Sequence, residues 1–267
     1  MATRFVRVIA SRGDARSAPE NTRKAFQAAS KAGVDEIHTD LRRTKDGQVV
    51  LCRDANLFRT TGKEALVQDL TLAEIQELDA GIHFPGKTEK ARIPTLDEFV
   101  KNWVKHQRLL LEPQENGTVL PMVRIMQALA DEGAFERIMA ISQERCFLSA
   151  LRMLDSRVKL GQILERRSQT TLGDLKLFGA SLVVAFWEDA ADKSYVDDAH
   201  RLGLPVYAWG AENLDEAKAA VAGGVDGVLY ENPGELLAYL KEAGLRDDAL
   251  NAAAGSNGKT NGKPAAK

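Results

Sequence analysis

Residues 204–240 read LPVYAWGAENLDEAKAAVAGGVDGVLYENPGELLAYL, and this stretch decides the fold. It contains two short runs rich in β-branched and aromatic residues, Pro205–Trp209 and Val225–Tyr230, which are typical of buried strands. A segment with helical character follows each run, over Leu214–Ala222 and over Gly234–Ala243. Strands that alternate with helices in this way predict a parallel sheet whose helices lie outside it.

The same alternation extends back through the rest of the chain. The further strand-like runs are Phe5–Ala10, Glu36–Leu41, Arg108–Glu112, Ile138–Ser142, Lys159–Leu164 and Ser181–Phe186. Together with the two runs above, they make about eight strand–helix units in 267 residues, which predicts an α/β protein of the (β/α)8 TIM barrel type. A doubly wound open sheet has a similar alternation and is the alternative.

One connection, Lys45–Pro94, is longer than an ordinary link between a strand and the next helix. We therefore expect an excursion after the second strand that covers one face of the barrel. A turn at Lys45–Gly47 leads into a strand-like run at Gln48–Cys52. The barrel domain is predicted to span residues 1–248. Residues 249–267 are rich in Ala, Gly, Asn and Lys without periodicity, and they predict a disordered tail.

Composition and charge exclude several classes of protein. Hydrophobic residues make up 44% of the chain, which excludes disorder across its body. A net charge of -2 predicts no nucleic-acid partner. The two cysteines are too few for a disulfide framework, and both thiols are expected to be buried. Residues 1–12 lack the apolar core of a signal peptide, and we expect no integral membrane segment, so a cytoplasmic location is predicted.

Several short motifs occur in a fixed order in the first hundred residues. They are Ile9–Gly13 (IASRG), Pro19–Thr22 (PENT), Thr44–Gly47 (TKDG), Leu57–Thr61 (LFRTT), Asp69–Leu72 (DLTL) and Ile93–Leu96 (IPTL). In this order and spacing they resemble the glycerophosphodiester phosphodiesterase family, and the resemblance extends over most of the predicted barrel. It implies a TIM barrel, hydrolysis of phosphodiesters by a pair of histidines, and a site for Mg²⁺ or Ca²⁺.

The positions that match the family's two catalytic histidines hold Ser11 and Arg53. Phosphodiester hydrolysis needs a base for the nucleophile and an acid for the leaving oxygen, and histidine titrates in the useful range. Serine cannot serve as that base, and arginine keeps its proton at physiological pH. Ser11 is interpreted as a small residue at a strand end, with a nucleophilic role as the alternative. His83, in the excursion, is either a replacement base or a solvated loop histidine.

The resemblance also implies a metal site at His38, Asp40 and Glu112, where His38 replaces the family's first carboxylate. Residues i and i+2 of a strand face the same side, so His38 and Asp40 can both point into the barrel mouth. An imidazole in place of a carboxylate shifts the preference from Mg²⁺ and Ca²⁺ towards Zn²⁺ or Mn²⁺. A divalent metal (Mg, Ca, Mn or Zn) is therefore the one cofactor that this site would take. Alternatively, His38 is a hydrogen-bonded barrel residue and no metal binds.

Three residues are predicted to contact a phosphate, and two tryptophans are predicted to form the wall of a ligand pocket. The phosphate contacts are Arg12, Arg53 and Gln114, the last of which replaces the family's lysine. Two arginines can bind phosphate by forked hydrogen bonds without a metal. Alternatively, Arg53 turns outward and pairs with Asp54 or another surface carboxylate. Trp187 and Trp209 fall at strand ends, where barrel sites form, and core packing is the alternative for each.

These residues predict a phosphodiesterase-like protein with a degenerate active site. Its expected function is to bind a small phosphoester or another anion with little or no hydrolysis. One alternative is an active metal-dependent phosphodiesterase that acts on glycerophosphodiesters or related lipids with rebuilt acid/base chemistry. The other is a non-catalytic interaction protein.

Overall fold

The computed structural model describes residues 5–86, 89–166 and 168–246. Its strands are β1 (Arg7–Ser11), β2 (Glu36–Arg43), β3 (Val49–Leu51), β4 (Arg108–Pro113), β5 (Ile138–Ser142), β6 (Lys159–Ile163), β7 (Leu182–Phe186), β8 (Val206–Trp209) and β9 (Gly227–Tyr230). The helices are α1 (Arg23–Ala32), α2 (Phe58–Thr61), α3 (Leu72–Gln76), α4 (Leu96–Trp103), α5 (Val119–Ala128), α6 (Ala134–Arg137), α7 (Arg145–Leu154), α8 (Leu172–Phe178), α9 (Trp187–Ala190), α10 (Lys193–Arg201), α11 (Leu214–Gly223) and α12 (Pro233–Glu242).

All the strands except β3 pair in parallel and close into a barrel. Their order around it is β1-β9-β8-β7-β6-β5-β4-β2, and β1 pairs with β2 as well as with β9. This closure confirms the predicted TIM barrel. The alternative of a doubly wound open sheet is wrong, because such a sheet would leave two unpaired edges.

The predicted excursion is present and has its own apolar core. β3 turns back along the end of β2 as an antiparallel partner, with Arg43 opposite Val49. The short helices α2 and α3 follow before the chain returns to the barrel at α4. Its buried residues are Val50, Cys52, Leu57, Val67, Ile75, Ala80, Ala91 and Ile93. This separate core explains how so long a connection keeps a defined shape beside the barrel mouth.

Threonine side chains set the starts of several helices. Thr71 and Thr95 each form a capping box, with Glu74 and Glu98 respectively. The first helix begins at Arg23, because the Thr22 side chain accepts a hydrogen bond from the Ala25 N–H and caps α1. The segment before it is therefore a loop, and this loop carries side chains to the barrel mouth.

The barrel interior is filled by apolar side chains above a polar cluster. The apolar residues are Ile9, Leu110, Ile141, Ile163, Leu182, Val184, Tyr207 and Leu229. At the end where β1 and β2 begin, the Tyr207 hydroxyl donates to Glu36 Oε1 (2.9 Å), and Arg7 Nη1 donates to the Tyr207 oxygen (3.0 Å). Burial raises the pKa of both Glu36 and Tyr207. This cluster fills the barrel at the end opposite the candidate site.

Three further predictions concern the C-terminal tail, the two cysteines and membrane-spanning helices. Residues 249–267, the predicted tail, lie outside the described residues, so the domain boundary stays a prediction. Cys52 is buried as expected, but Cys146 is exposed near the start of α7, and that prediction was wrong. None of the helices formed by the described residues has the length and apolar character needed to cross a membrane.

Candidate functional site

A cavity of about 660 Å³ lies at the ends of the barrel strands. Its lining includes predicted site residues from both halves of the chain, namely Ser11, Arg12, His38, Asp40, Arg53, Glu112, Gln114 and Trp209. The strand register explains part of this grouping, because Ser11 pairs with His38 and Asp40 pairs with Glu112 on neighbouring parallel strands. Side chains at equivalent heights on parallel strands meet at the same end of a barrel.

The two predicted pocket tryptophans have different positions. Trp209 lines the cavity, and its Nε1–H donates to the Leu164 carbonyl (2.9 Å). Trp187 is not part of the lining that the structure describes, and it packs against the outer core at the start of α9. Phe186 takes its place and meets the Trp209 ring edge-on at 5.5 Å. Gly210, which follows Trp209, has a φ of 82°, and a Cβ added there would lie 2.6 Å from the Phe186 ring. A larger residue at position 210 would therefore clash with that ring.

Asp40 lies at the centre of the polar half of the cavity and is 2% exposed. Its Oδ2 accepts hydrogen bonds from Arg12 Nε (3.2 Å) and Asn21 Nδ2 (3.1 Å), and its Oδ1 accepts one from Gln114 Nε2 (3.1 Å). Burial alone would raise the pKa of Asp40. The neighbouring His38 and Arg12, with the Asn21 hydrogen bond, hold that pKa below its ordinary value. Asp40 is therefore an ionised carboxylate at neutral pH.

Arg12 is surrounded by carboxylates. Its Nε contacts Asp40, and its Nη1 lies 3.3 Å from Glu231 Oε1 and 3.7 Å from Glu20 Oε1. Burial would lower the pKa of this guanidinium, and the three carboxylates raise it. Its donors thus already face protein groups, and an incoming phosphate would compete with these carboxylates.

A second arginine, Arg59 in α2, continues this set of charges. Its Nη1 and Nη2 donate to the two oxygens of Glu20 (2.8 and 2.7 Å), and its Nε donates to Asp54 (2.5 Å). Asp54 is therefore paired with Arg59. The alternative interpretation, in which Asp54 pairs with Arg53, was wrong. Arg53 lines the cavity instead.

The three predicted metal ligands lie together. One donor atom from each of His38, Asp40 and Glu112 lies within 4.8 Å of the other two. His38 is buried, and its Nε2 lies 3.0 Å from Glu112 Oε2, so the imidazole and the carboxylate share a hydrogen bond. Its Nδ1 is buried without a hydrogen-bond partner among the described residues. In most metal sites the second ring nitrogen is held by a carboxylate or carbonyl.

These observations test whether the residues fit a metal. The spacing and the mixture of one nitrogen with carboxylate oxygens suit a borderline ion such as Zn²⁺ or Mn²⁺ better than Mg²⁺ or Ca²⁺. The missing partner of His38 Nδ1 removes the usual support for a ligating imidazole. The set therefore fits a weakly held divalent ion, and metal binding itself stays a prediction.

Replacing His38 by glutamate should raise the affinity for Mg²⁺ or Ca²⁺, because the hard cation gains a carboxylate ligand. Titration calorimetry of His38→Glu against the unmodified protein measures this change. His38→Gln is the matched control, since it offers an oxygen without the charge. If His38→Glu gains affinity for neither metal, the three residues do not form a metal site.

Sequence reasoning did not single out Asn21, Glu20, Glu231, Arg16 or Phe186. Asn21 has a φ of 54°, a left-handed conformation that asparagine tolerates better than most residues. The position of Asn21 within the Pro19–Thr22 motif was the one sequence feature that could have marked it as a site residue. Glu231 directly follows β9, and a polar residue just after a barrel strand is a general sign of a site residue. The replacement base considered earlier, His83, is exposed and lies outside the described cavity lining.

Comparison with known proteins agrees with this fold. The profile of the "Glycerophosphoryl diester phosphodiesterase family" matches residues 12–235. A "Glycerophosphodiester phosphodiesterase" from Caldanaerobacter subterraneus is 30% identical over 241 residues, which cover 89% of this chain and 98% of that protein.

Two solved structures show the same fold at lower identity. A phosphodiesterase from Oleispira antarctica, in complex with the product sn-glycerol-3-phosphate, is 22% identical with a TM-score of 0.78, and the match covers 89% of this chain and 97% of that one. A glycerophosphodiester phosphodiesterase from Agrobacterium tumefaciens is 20% identical with a TM-score of 0.76, covering 88% and 100%. On the family profile and the full-length relative, this chain belongs to the glycerophosphoryl diester phosphodiesterase family.

Proposed function

We propose that the chain binds a small phosphoester or a similar anion in the mouth of its barrel, and that it hydrolyses glycerophosphodiesters slowly or not at all. The observation that carries the proposal is that Ser11 and Arg53 both line the cavity. The sequence resemblance assigns these two residues to the positions of the family's catalytic histidines. Family membership and the relative that holds sn-glycerol-3-phosphate support the ligand class. The chemistry of serine and arginine supports the loss of turnover.

Arg53 is the principal anion contact in the proposed site. Its side chain is exposed in the cavity, and its charge acts on Asp40, but no carboxylate of the described residues lies within ion-pair distance of it. Arg12 and Gln114 also face the cavity, but both already donate to Asp40. A guanidinium without a carboxylate partner can offer two parallel N–H donors to one phosphate. Arg53 therefore binds the anion, while Arg12 and Gln114 fix the wall against which it lies.

The second candidate is an active, metal-dependent phosphodiesterase with rebuilt chemistry. The cluster of His38, Asp40 and Glu112 favours it, because these residues could hold a divalent ion. Such an ion would supply positive charge opposite the phosphoester oxygens. The two candidates differ in one measurable property, since only the second requires turnover that depends on a metal.

The unmodified protein should bind sn-glycerol-3-phosphate, and Arg53→Ala should weaken that binding by about tenfold, because a charge-assisted pair is lost. Titration calorimetry in the presence of EDTA, and again with Mn²⁺, measures both affinities. Arg124→Ala is the matched control, since Arg124 is an exposed arginine on α5 outside the cavity lining. An unmodified protein that binds no phosphoester under either condition would rule out the proposed function.

A further inference from the structure

Two residues near the cavity have a left-handed backbone. Among the described residues, only Arg12 (φ 59°) and Asn21 (φ 54°) combine a side chain with a positive φ. The Asn21 N–H donates to the Arg12 carbonyl (2.9 Å), which joins the two positions. Their side chains both contact the same atom, Asp40 Oδ2. Residues other than glycine keep this conformation only where their surroundings hold them in it, and such positions cluster at functional sites.

The side-chain amide of Asn21 is held at both ends. Its Nδ2 donates to Asp40 Oδ2 (3.1 Å), and its Oδ1 accepts a hydrogen bond from Thr39 Oγ1 (2.7 Å). All three side chains are buried, and Thr39 is 0% exposed. An ionised carboxylate only accepts hydrogen bonds, so Asp40 must face the NH₂ group, and the oxygen of the amide then faces the Thr39 hydroxyl. The amide therefore has a single orientation.

Thr39 acts on this amide from outside the cavity. It lies between His38 and Asp40 on β2, and successive side chains of a strand point to opposite faces. Neither Thr39 nor Asn21 belongs to the described cavity lining, whereas Asp40 does. A ligand in the cavity can thus meet Asp40 directly, but any influence of Thr39 on that ligand must pass through Asn21.

Asp40 transmits its position to the wall of the cavity. Arg12 Nε (3.2 Å) and Gln114 Nε2 (3.1 Å) both donate to it, and both residues line the cavity. Arg12 also lies near the carboxylates of Glu20 and Glu231, so its guanidinium has other partners if the Asp40 carboxylate turns away. A wall that is fixed before the ligand arrives loses less entropy on binding, which raises the affinity.

We propose that Thr39 and Asn21 are positioning residues of the anion site. The Thr39 hydroxyl orients the Asn21 amide, the amide holds the Asp40 carboxylate, and that carboxylate sets Arg12 and Gln114 against the ligand. The affinity for a phosphoester therefore depends on a buried hydroxyl that the ligand does not touch. This inference deepens the proposed function and rests on it for the ligand.

The first test removes the hydroxyl and keeps the shape of the side chain. Thr39→Val should weaken the binding of sn-glycerol 3-phosphate, measured by calorimetry on the full chain, by about three- to tenfold, the range of one hydrogen bond. Thr39→Ser keeps the hydroxyl and should restore the affinity to within about twofold. Thr118→Val is the matched control, because Thr118 is also 0% exposed and donates to a carbonyl, that of Glu115 (2.8 Å), outside the cavity lining. It should leave the affinity unchanged.

The second test needs no ligand. The Arg12 Nε–H donates to Asp40, so NMR measurement of its exchange with water reports how firmly that carboxylate is held. Thr39→Val should make this exchange about three- to tenfold faster, and Thr39→Ser should not. Asn21→Gly should have the effect of Thr39→Val, because glycine keeps the left-handed backbone and removes only the amide. If Thr39→Val fails to fold, Asn21→Gly provides both comparisons.

The outcomes separate this inference from the proposed function. Unchanged Arg12 exchange in Asn21→Gly would overturn the role of the amide, and an effect of Thr39→Val that Thr39→Ser does not rescue would overturn the role of the hydroxyl. Faster exchange with unchanged phosphoester affinity would overturn the positioning role alone, since the hydrogen bonds would then support only the fold. If the unmodified protein binds no phosphoester, with EDTA or with Mn²⁺, the proposed function is wrong and the positioning role falls with it.

Discussion

Glycerophosphocholine hydrolysis by this protein should be absent, or slower by about 10⁴-fold or more than hydrolysis by a relative that has both histidines. Ser11 and Arg53, which the resemblance assigns to the positions of the two histidines, line the cavity, and a serine–arginine pair lacks the acid/base chemistry of two imidazoles. His38 also lines the cavity, but its Nε2 already shares a hydrogen bond with Glu112 Oε2. A coupled assay for released glycerol 3-phosphate, with Mg²⁺, Ca²⁺, Mn²⁺ or Zn²⁺ added, measures the rate.

The companion experiment restores the family residues together. A variant with Ser11→His, Arg53→His, His38→Glu and Gln114→Lys should gain measurable, metal-dependent turnover, since the barrel and the positions of these side chains are in place. Each single reversion should do little, because an acid and a base act as a unit and their effects are not additive.

One pattern of results would contradict this account of catalysis. The unmodified protein would turn over substrate at a substantial rate, keep that activity in Asp40→Ala, and lose it only in His83→Ala. The exposed His83 would then have moved from its position outside the described cavity lining to do the chemistry.

Asp40→Ala should lower the free energy of unfolding by about 3–5 kcal/mol, as expected when one partner of a buried ion pair is removed. Asp40 is 2% exposed, and its loss would leave donors of Arg12, Asn21 and Gln114 without their acceptor. Urea denaturation at pH 7 measures the change. Asp97→Ala is the control, because the one ion pair of Asp97 with a described residue is its exposed pair with Lys101, and the substitution should cost about 0.5 kcal/mol or less.

The same substitution should have a defined dependence on pH. The pKa of Asp40 is lower in the folded protein than its unfolded value of 3.8, so its contribution to stability is present above that pH and is lost as the pH falls through the folded pKa. The difference between the unmodified protein and Asp40→Ala should therefore be full at neutral pH and shrink in acid below pH 3.8. If Asp40→Ala lowers the free energy of unfolding by less than about 1 kcal/mol at pH 7, the hydrogen bonds and ion pair of Asp40 do not stabilise the fold as expected.

Much of the site could be predicted because it follows from strand periodicity. His38 and Asp40 are two residues apart on β2, so the strand assignment alone puts them on one face. Glu112 was added from the family resemblance, and the structure pairs it with Asp40 in register on β4. The same periodicity explains the error at Trp187. Phe186 is the register partner of Trp209, so Phe186 faces the cavity and the next residue turns away from it.

The rest of the site depends on loop conformation, which periodicity does not describe. Asn21 reaches Asp40 only because the backbone takes a left-handed conformation there, at a φ of 54°. The three carboxylates around Arg12 come from positions 20, 40 and 231, which no local pattern connects. Arg16 is one of several exposed arginines in the sequence, and only the cavity sets it apart.

The charges that run from Arg59 through Glu20 and Arg12 to Glu231 connect the excursion to the strand end across the barrel mouth. Arg59 and Glu231 are each half exposed, so the outer members of this series are open to screening by dissolved ions, which act over about 10 Å at 0.1 M salt. The barrel itself is held by buried apolar packing, which such screening does not weaken in the same way. Higher ionic strength would therefore weaken the outer ion pairs of the barrel mouth and leave the fold intact.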